Sequence, residues 1–195
     1  MNIRNILTTL ICCYSFHQSA LGDQFLNLTP ITSFRVDEGI ESWRPTKEHL
    51  FFFRQNPGGE LPANLLTKEF ILKFKPLDRS SLNFGHTKDR IWLLLKIERQ
   101  QLNPTDLILE LDYADISYVH FFSYSSEGIL LGEYSTGINM NSNTKPIPHH
   151  TYAFPIPAST NVQYLLIAAE AQISVIMPII ISSEKPSIKP GYQGY

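Results

Sequence analysis

The stretch Ile91-Trp92-Leu93-Leu94-Leu95-Lys96-Ile97 is apolar but for one lysine, and Glu98-Arg99-Gln100 closes it. Side chains alternate between the two faces of a strand, so an unbroken apolar run predicts a strand buried on both faces. Trp92 lies inside this run and is read as core. The same kind of signal repeats downstream. Leu107 to Leu111 is a second run. Tyr118 to Tyr124 is aromatic and alternating. Ser125-Ser126-Glu127-Gly128 is a turn, and Ile129 to Tyr134 returns from it, which predicts a hairpin. Thr151 to Ile156 alternates, and Gln163 to Ala169 and Ser174 to Ile181 predict two further strands across a short polar break. No long amphipathic helix separates these segments. Closely spaced strands with turn residues between them predict an all-β fold, an antiparallel β-sandwich, and argue against βαβ units.

Upstream the pattern is weaker. Pro30, Pro45 and Pro57-Gly58-Gly59 interrupt any long element. Ile31 to Val36 and Leu50 to Phe53 fit short strands. Leu61 to Phe74 fits two descriptions. Pro62 can open a helical turn with Leu65, Leu66, Phe70 and Ile71 at helical spacing, while Phe70, Leu72 and Phe74 can alternate along a strand.

The N-terminus reads as an export signal. Arg4 supplies the positive charge, Ile6 to Phe16 carries none, and Ala20 and Gly22 take the small positions before a cut ahead of Asp23. The apolar run is short of the about 20 residues that a membrane-spanning helix needs. The expected organisation is a signal peptide over 1–22, one domain over 23–184 and a tail over 185–195. The expected location is the periplasm. Both cysteines, Cys12 and Cys13, fall in the signal, so the exported domain has no thiol for a disulfide, a metal or a nucleophile. Neither has the small residue before it that a lipid anchor requires. A formal net charge of −2 gives no basic footprint for nucleic acid.

Candidate chemistry is sparse. No Gly-rich phosphate loop and no nucleophile elbow occur. His149 and His150 are adjacent, and neighbouring side chains in an extended segment point to opposite faces, so joint metal ligation is disfavoured. His86 and His120 are unplaced as partners. The expectation is no metal and no cofactor, with the His pair as a polar rim or ligand contact. Glu110, Asp112 and Asp115 cluster after a strand. Paired carboxylates there could serve a glycosidase, but the same residues fit a strand end and turn. Tyr113, Tyr118, Tyr152 and Tyr164 lie on or beside strands. Such rings can stack on sugars, although core packing is the commoner role for any one of them. The candidate ligand contacts are His149, His150, Tyr152 and Tyr164, with a small molecule, a carbohydrate among the options, as the expected partner.

Ser81-Leu82-Asn83-Phe84-Gly85-His86-Thr87-Lys88-Asp89-Arg90-Ile91-Trp92-Leu93 resembles a family signature, an Asn-Phe-Gly turn and a Thr ahead of a Trp-bearing strand. Leu109 to Tyr113, Val119 to Phe122, Pro146 to Phe154, Tyr164 to Ile167 and Met177-Pro178 resemble its later segments in order and spacing. The family is the extracellular domain of the bacterial seven-transmembrane receptors with diverse intracellular signalling modules, 7TM-DISM, and the resemblance runs from about residue 26 to 184. It implies a jelly-roll-like sandwich similar to carbohydrate-binding modules, acting as a non-enzymatic periplasmic sensor ahead of membrane helices and an output module. Free-standing binding modules for proteins or polysaccharides, a glycosidase-like enzyme and a gene fragment are the rival readings. Three positions depart from the pattern: Leu94, His150 and Leu166 stand where the resemblance implies arginines. Gly191-Tyr192-Gln193-Gly194-Tyr195 resembles the approach to the first membrane helix, so membrane helices are expected only if the gene continues.

Overall fold

The structure, a computed structural model, describes residues 31–36, 42–99, 107–158 and 160–183. The expected signal peptide over 1–22 and tail over 185–195 lie outside the described residues. Among the described residues there are eleven strands: β1 (Phe34–Val36), β2 (Ser42–Trp43), β3 (Leu50–Gln55), β4 (Lys75–Pro76), β5 (Arg90–Arg99), β6 (Leu107–Leu111), β7 (Tyr118–Ser125), β8 (Leu130–Thr136), β9 (Tyr152–Ile156), β10 (Val162–Glu170) and β11 (Ile179–Ser182). One short helix, α1 (Lys68–Ile71), follows Thr67, whose hydroxyl accepts from the Phe70 N–H as a cap.

The strands form two sheets packed as a sandwich. The larger has the order β4-β3-β5-β10-β7-β8, with β1 paired to β5 beyond the end of β3. The smaller has the order β2-β11-β6-β9. All strand pairs are antiparallel except β1 with β5. The expected all-β sandwich and the β7–β8 hairpin are both present. Gly128, at φ +80°, takes the left-handed position in the hairpin turn, and its N–H donates to Ser125 O.

Alternation divides the side chains of the larger sheet between two cores. Ile91, Leu93, Leu95 and Ile97 of β5, with Leu165, Ile167 and Ala169 of β10, face the smaller sheet, where Leu109, Leu111, Phe154, Ile156, Ile179 and Ile181 meet them. Trp92, Leu94, Tyr164, Leu166 and Ala168 face the other way. That second face is not left to solvent. Leu65, Phe70, Ile71 and Phe74, from α1 and its flanks, lie over it. The segment that read as helix or strand is therefore a short capped helix in a covering loop, and Leu72 points outward at 57 % exposure. Each large apolar side chain so buried contributes about 1.5–3 kcal/mol.

Trp92 anchors this cover. It is 0 % exposed. Phe70 meets its ring edge-on at 5.1 Å, Phe122 stacks at 6.3 Å, and its indole N–H donates to Gln55 Oε1 at 2.7 Å. One strand differs from expectation. Ser174 to Ile181 is not continuous, because Pro178 has no N–H to extend a ladder. Before it, Val175 and Met177 bond to the 82–85 loop; after it, β11 joins the smaller sheet.

Two outcomes follow from this packing. Gly137 has φ +151°, and a Cβ there would meet Ser117 O at 2.1 Å. Gly137→Ala is expected to cost about 3 kcal/mol or more in urea denaturation. On β7, burial and then the Arg90 guanidinium hold the His120 imidazole below its usual range, against the pull of Glu170. The unfolded chain therefore takes up the proton first. Stability from this group is complete above the unfolded value of about 6.5 and is lost as pH falls below it. Denaturation midpoints at pH 7.5 and 5.5 should show that loss, and His120→Gln should flatten it.

Candidate functional site

The polar feature that stands out lies on the outer face of the smaller sheet, where β6 and β9 run side by side. Leu107, Leu109 and Leu111 of β6 point into the core, so Glu110 points outward. Its cross-strand partner is Ala153 of β9. Thr151, just before β9, donates its hydroxyl to Glu110 Oε1 at 2.6 Å. His149 Nδ1 lies 2.8 Å from the same hydroxyl oxygen and 3.5 Å from Glu110 Oε1. Carboxylate, hydroxyl and imidazole thus form one connected group.

Lys145 shapes the loop that carries the histidines. An ammonium has three donors, and Lys145 Nζ directs them to His149 O at 2.7 Å, Thr151 O at 3.1 Å and His150 O at 3.4 Å. It also sits 5.0 Å over the Tyr152 ring. Turning three successive carbonyls toward one cation curls the chain. The extended-chain expectation for His149 and His150 is therefore corrected: residues 149–151 bend, and the two rings lie together at 4.0 Å between centroids. Burial lowers the His149 imidazole, His150 and Lys145 act in the same direction, and the carboxylates of Glu110 and Asp112 oppose them without reversing it. Burial lowers the Lys145 ammonium as well.

The four expected ligand contacts do not share one surface. His149 and His150 are together, the first with a side chain only 2 % exposed and the second exposed. Tyr152 lies beneath them. It is buried among the core residues, and its hydroxyl donates to the carbonyls of Ala114 and Ile116, at 2.9 and 3.0 Å. Tyr164 is on the larger sheet, buried under α1, where burial pushes its phenol up to about 12. Sequence reasoning gave Glu110 only a carboxylate-pair role and missed Lys145 and Thr151. In the structure Glu110 is engaged by Thr151, and Asp112 lies 3.9 Å from Arg44 at the surface. Nothing in the sequence marked Lys145, because its three acceptors are backbone atoms.

The loop's dependence on one ammonium is testable. Lys145→Met should cost about 1–3 kcal/mol, the range for hydrogen bonds to a charged group. It should also expose His149, read as faster modification of that imidazole by diethylpyrocarbonate.

Among the described residues, no helix is long and apolar enough to cross a membrane. No curated protein matched the chain. The sequence description of the 7TMR-DISM extracellular 2 family matches residues 47–183, a span that runs from the start of β3 through β11 and includes Glu110, Lys145, His149 and His150. The two-sheet sandwich and its candidate-site loop lie almost entirely within that span, and the chain belongs to the 7TMR-DISM extracellular 2 family.

Proposed function

We propose that this chain is a periplasmic ligand-binding sensor domain of the receptor type, and that it binds its ligand without transforming it. Membership of an extracellular-domain family over residues 47–183 is the observation that carries this reading. Its ligand is a small polar molecule, a carbohydrate being the class suggested by the jelly-roll-like fold that the family resemblance implies, and that step rests on analogy of fold.

The polar group around His149 and His150 is the favoured place for it. The face of the larger sheet over β5 and β10 is filled by Phe70, Ile71 and Phe74, so a ligand there would have to displace the chain's own core. The smaller sheet's outer face instead presents Glu110, the exposed His150 and the loop drawn in by Lys145. A ligand that preferred one arrangement of this loop would shift its population, and that shift is what a receptor relays.

A thermal-shift screen of mono- and disaccharides and small polar metabolites against the purified chain tests the proposal. At a concentration 100 times its Kd, a true ligand stabilises by about 2.7 kcal/mol, which raises the melting temperature by several degrees. The shift should shrink for His150→Ala. A screen without a hit, or equal shifts in the variant, contradicts the reading.

A further inference from the structure

The bent loop brings a set of electron-pair donors together on the outer face of the smaller sheet. Glu110, His149 and His150 each offer one ligand atom, and the three atoms lie within 4.8 Å of one another. One separation between donors of this group, the edge from Glu110 Oε1 to His149 Nδ1, measures 3.5 Å. Two ligands bonded at about 2.1 Å to one tetrahedral ion stand about 3.4 Å apart. That edge already has the length of a shared coordination sphere. His150 supplies the longer reach. It is exposed on a loop and lies within 4.8 Å of the other two donors, so it has to close by at most about 1.4 Å to reach that geometry.

We propose that Glu110, His149 and His150 form a binding site for a divalent transition-metal ion, zinc being the best match, with at least one coordination position open to solvent. Two imidazoles and one carboxylate suit zinc, copper or nickel, whereas calcium and magnesium take sets of oxygens. Three protein ligands with an open fourth position is the arrangement in which zinc accepts an exchangeable ligand.

The surroundings are consistent with this role. The His149 side chain is 2 % exposed, so the ion would have one ligand held by the fold. Its Nε2 is buried and has no hydrogen-bond partner among the described residues. Nδ1, 2.8 Å from the Thr151 hydroxyl, is the nitrogen on the Glu110 side. The Thr151 hydroxyl now bridges the Glu110–His149 edge, with its proton on the carboxylate side. An ion at that edge would replace this proton as the positive partner of Glu110. Asp112 adds a second negative charge near His149, and Lys145 opposes the ion from the loop side, held there by its three carbonyls. Arg44, 3.9 Å from Asp112, offsets that second charge, so Glu110 is the carboxylate left to face the ion. The bound ion would be the element that recognises an anionic or hydroxyl-bearing ligand. Only that use of the ion rests on the sensor proposal; its binding does not.

Titration calorimetry with zinc chloride, on full chain freed of any affinity tag and stripped with chelator, tests the site. One equivalent should bind with a micromolar or tighter Kd. Cobalt(II) in its place should give the visible absorption bands of a four-coordinate ion. His150→Ala, at an exposed position, should weaken zinc at least tenfold while the metal-free melting temperature stays unchanged. Glu110→Gln should weaken it as well, and His86→Ala should not. Absence of binding, or an affinity equal to wild type in both His150→Ala and Glu110→Gln, would overturn the proposal. An organic ligand that stabilises the chelator-stripped chain while zinc fails to bind would overturn the metal site and leave the sensor reading standing. Zinc bound at these residues with no organic ligand found would do the reverse.

Discussion

The burial of Trp92 on the far side of β5 is the constraint that organises the molecule. An indole of that size cannot face water on a central strand without losing a large part of the sheet's apolar burial. The chain therefore brings α1 and its flanks across the larger sheet, so that Phe70 meets the indole edge while Gln55 takes its N–H. Gln55 Oε1 also accepts from Arg90, and Arg90 pairs with Glu170 at 2.6 Å. A single buried ring thus ties β3, β5, β10 and the covering helix together. The cost is functional. The larger sheet's second face is spent on packing, and the proposed site lies on the smaller sheet.

That division was partly legible in the sequence. A run apolar at successive positions, Ile91 to Leu95, announces a strand covered on both faces, and it is one. The hairpin was legible because Gly128 and its serines fix a turn between two alternating segments. What covers the second face was not legible. Phe70 and Phe74 satisfy both a helical and an alternating pattern, and the choice is made by the Thr67 cap and by the ring of Trp92, two contacts of which only the first is local. The break at Pro178 was visible as a residue but not as a change of sheet, since the partners on either side, the 82–85 loop and β6, are distant in sequence.

The candidate site shows a sharper limit. Alternation predicts opposed directions for His149 and His150 only where the backbone is extended. Here the backbone is bent by a side chain four residues earlier, Lys145, whose acceptors are carbonyls that every sequence possesses. Composition carries no trace of such an interaction. Glu110 was visible, but its partner was not, because Thr151 reaches it through the β6–β9 register and not through spacing.

The identity of residue 150 ties the site back to the family. The resemblance implies an arginine at this position, and an arginine beside Glu110 would offer only donors, to the carboxylate or to an anionic ligand. Histidine offers a lone pair instead. Next to a second imidazole and a carboxylate, that one exchange turns a site able to donate hydrogen bonds into one able to donate electron pairs. The backbone need not change for this to happen, because Lys145 sets the bend through main-chain atoms alone. A loop whose shape is independent of residue 150 is free to vary that residue, and with it the groups that this face presents to solvent.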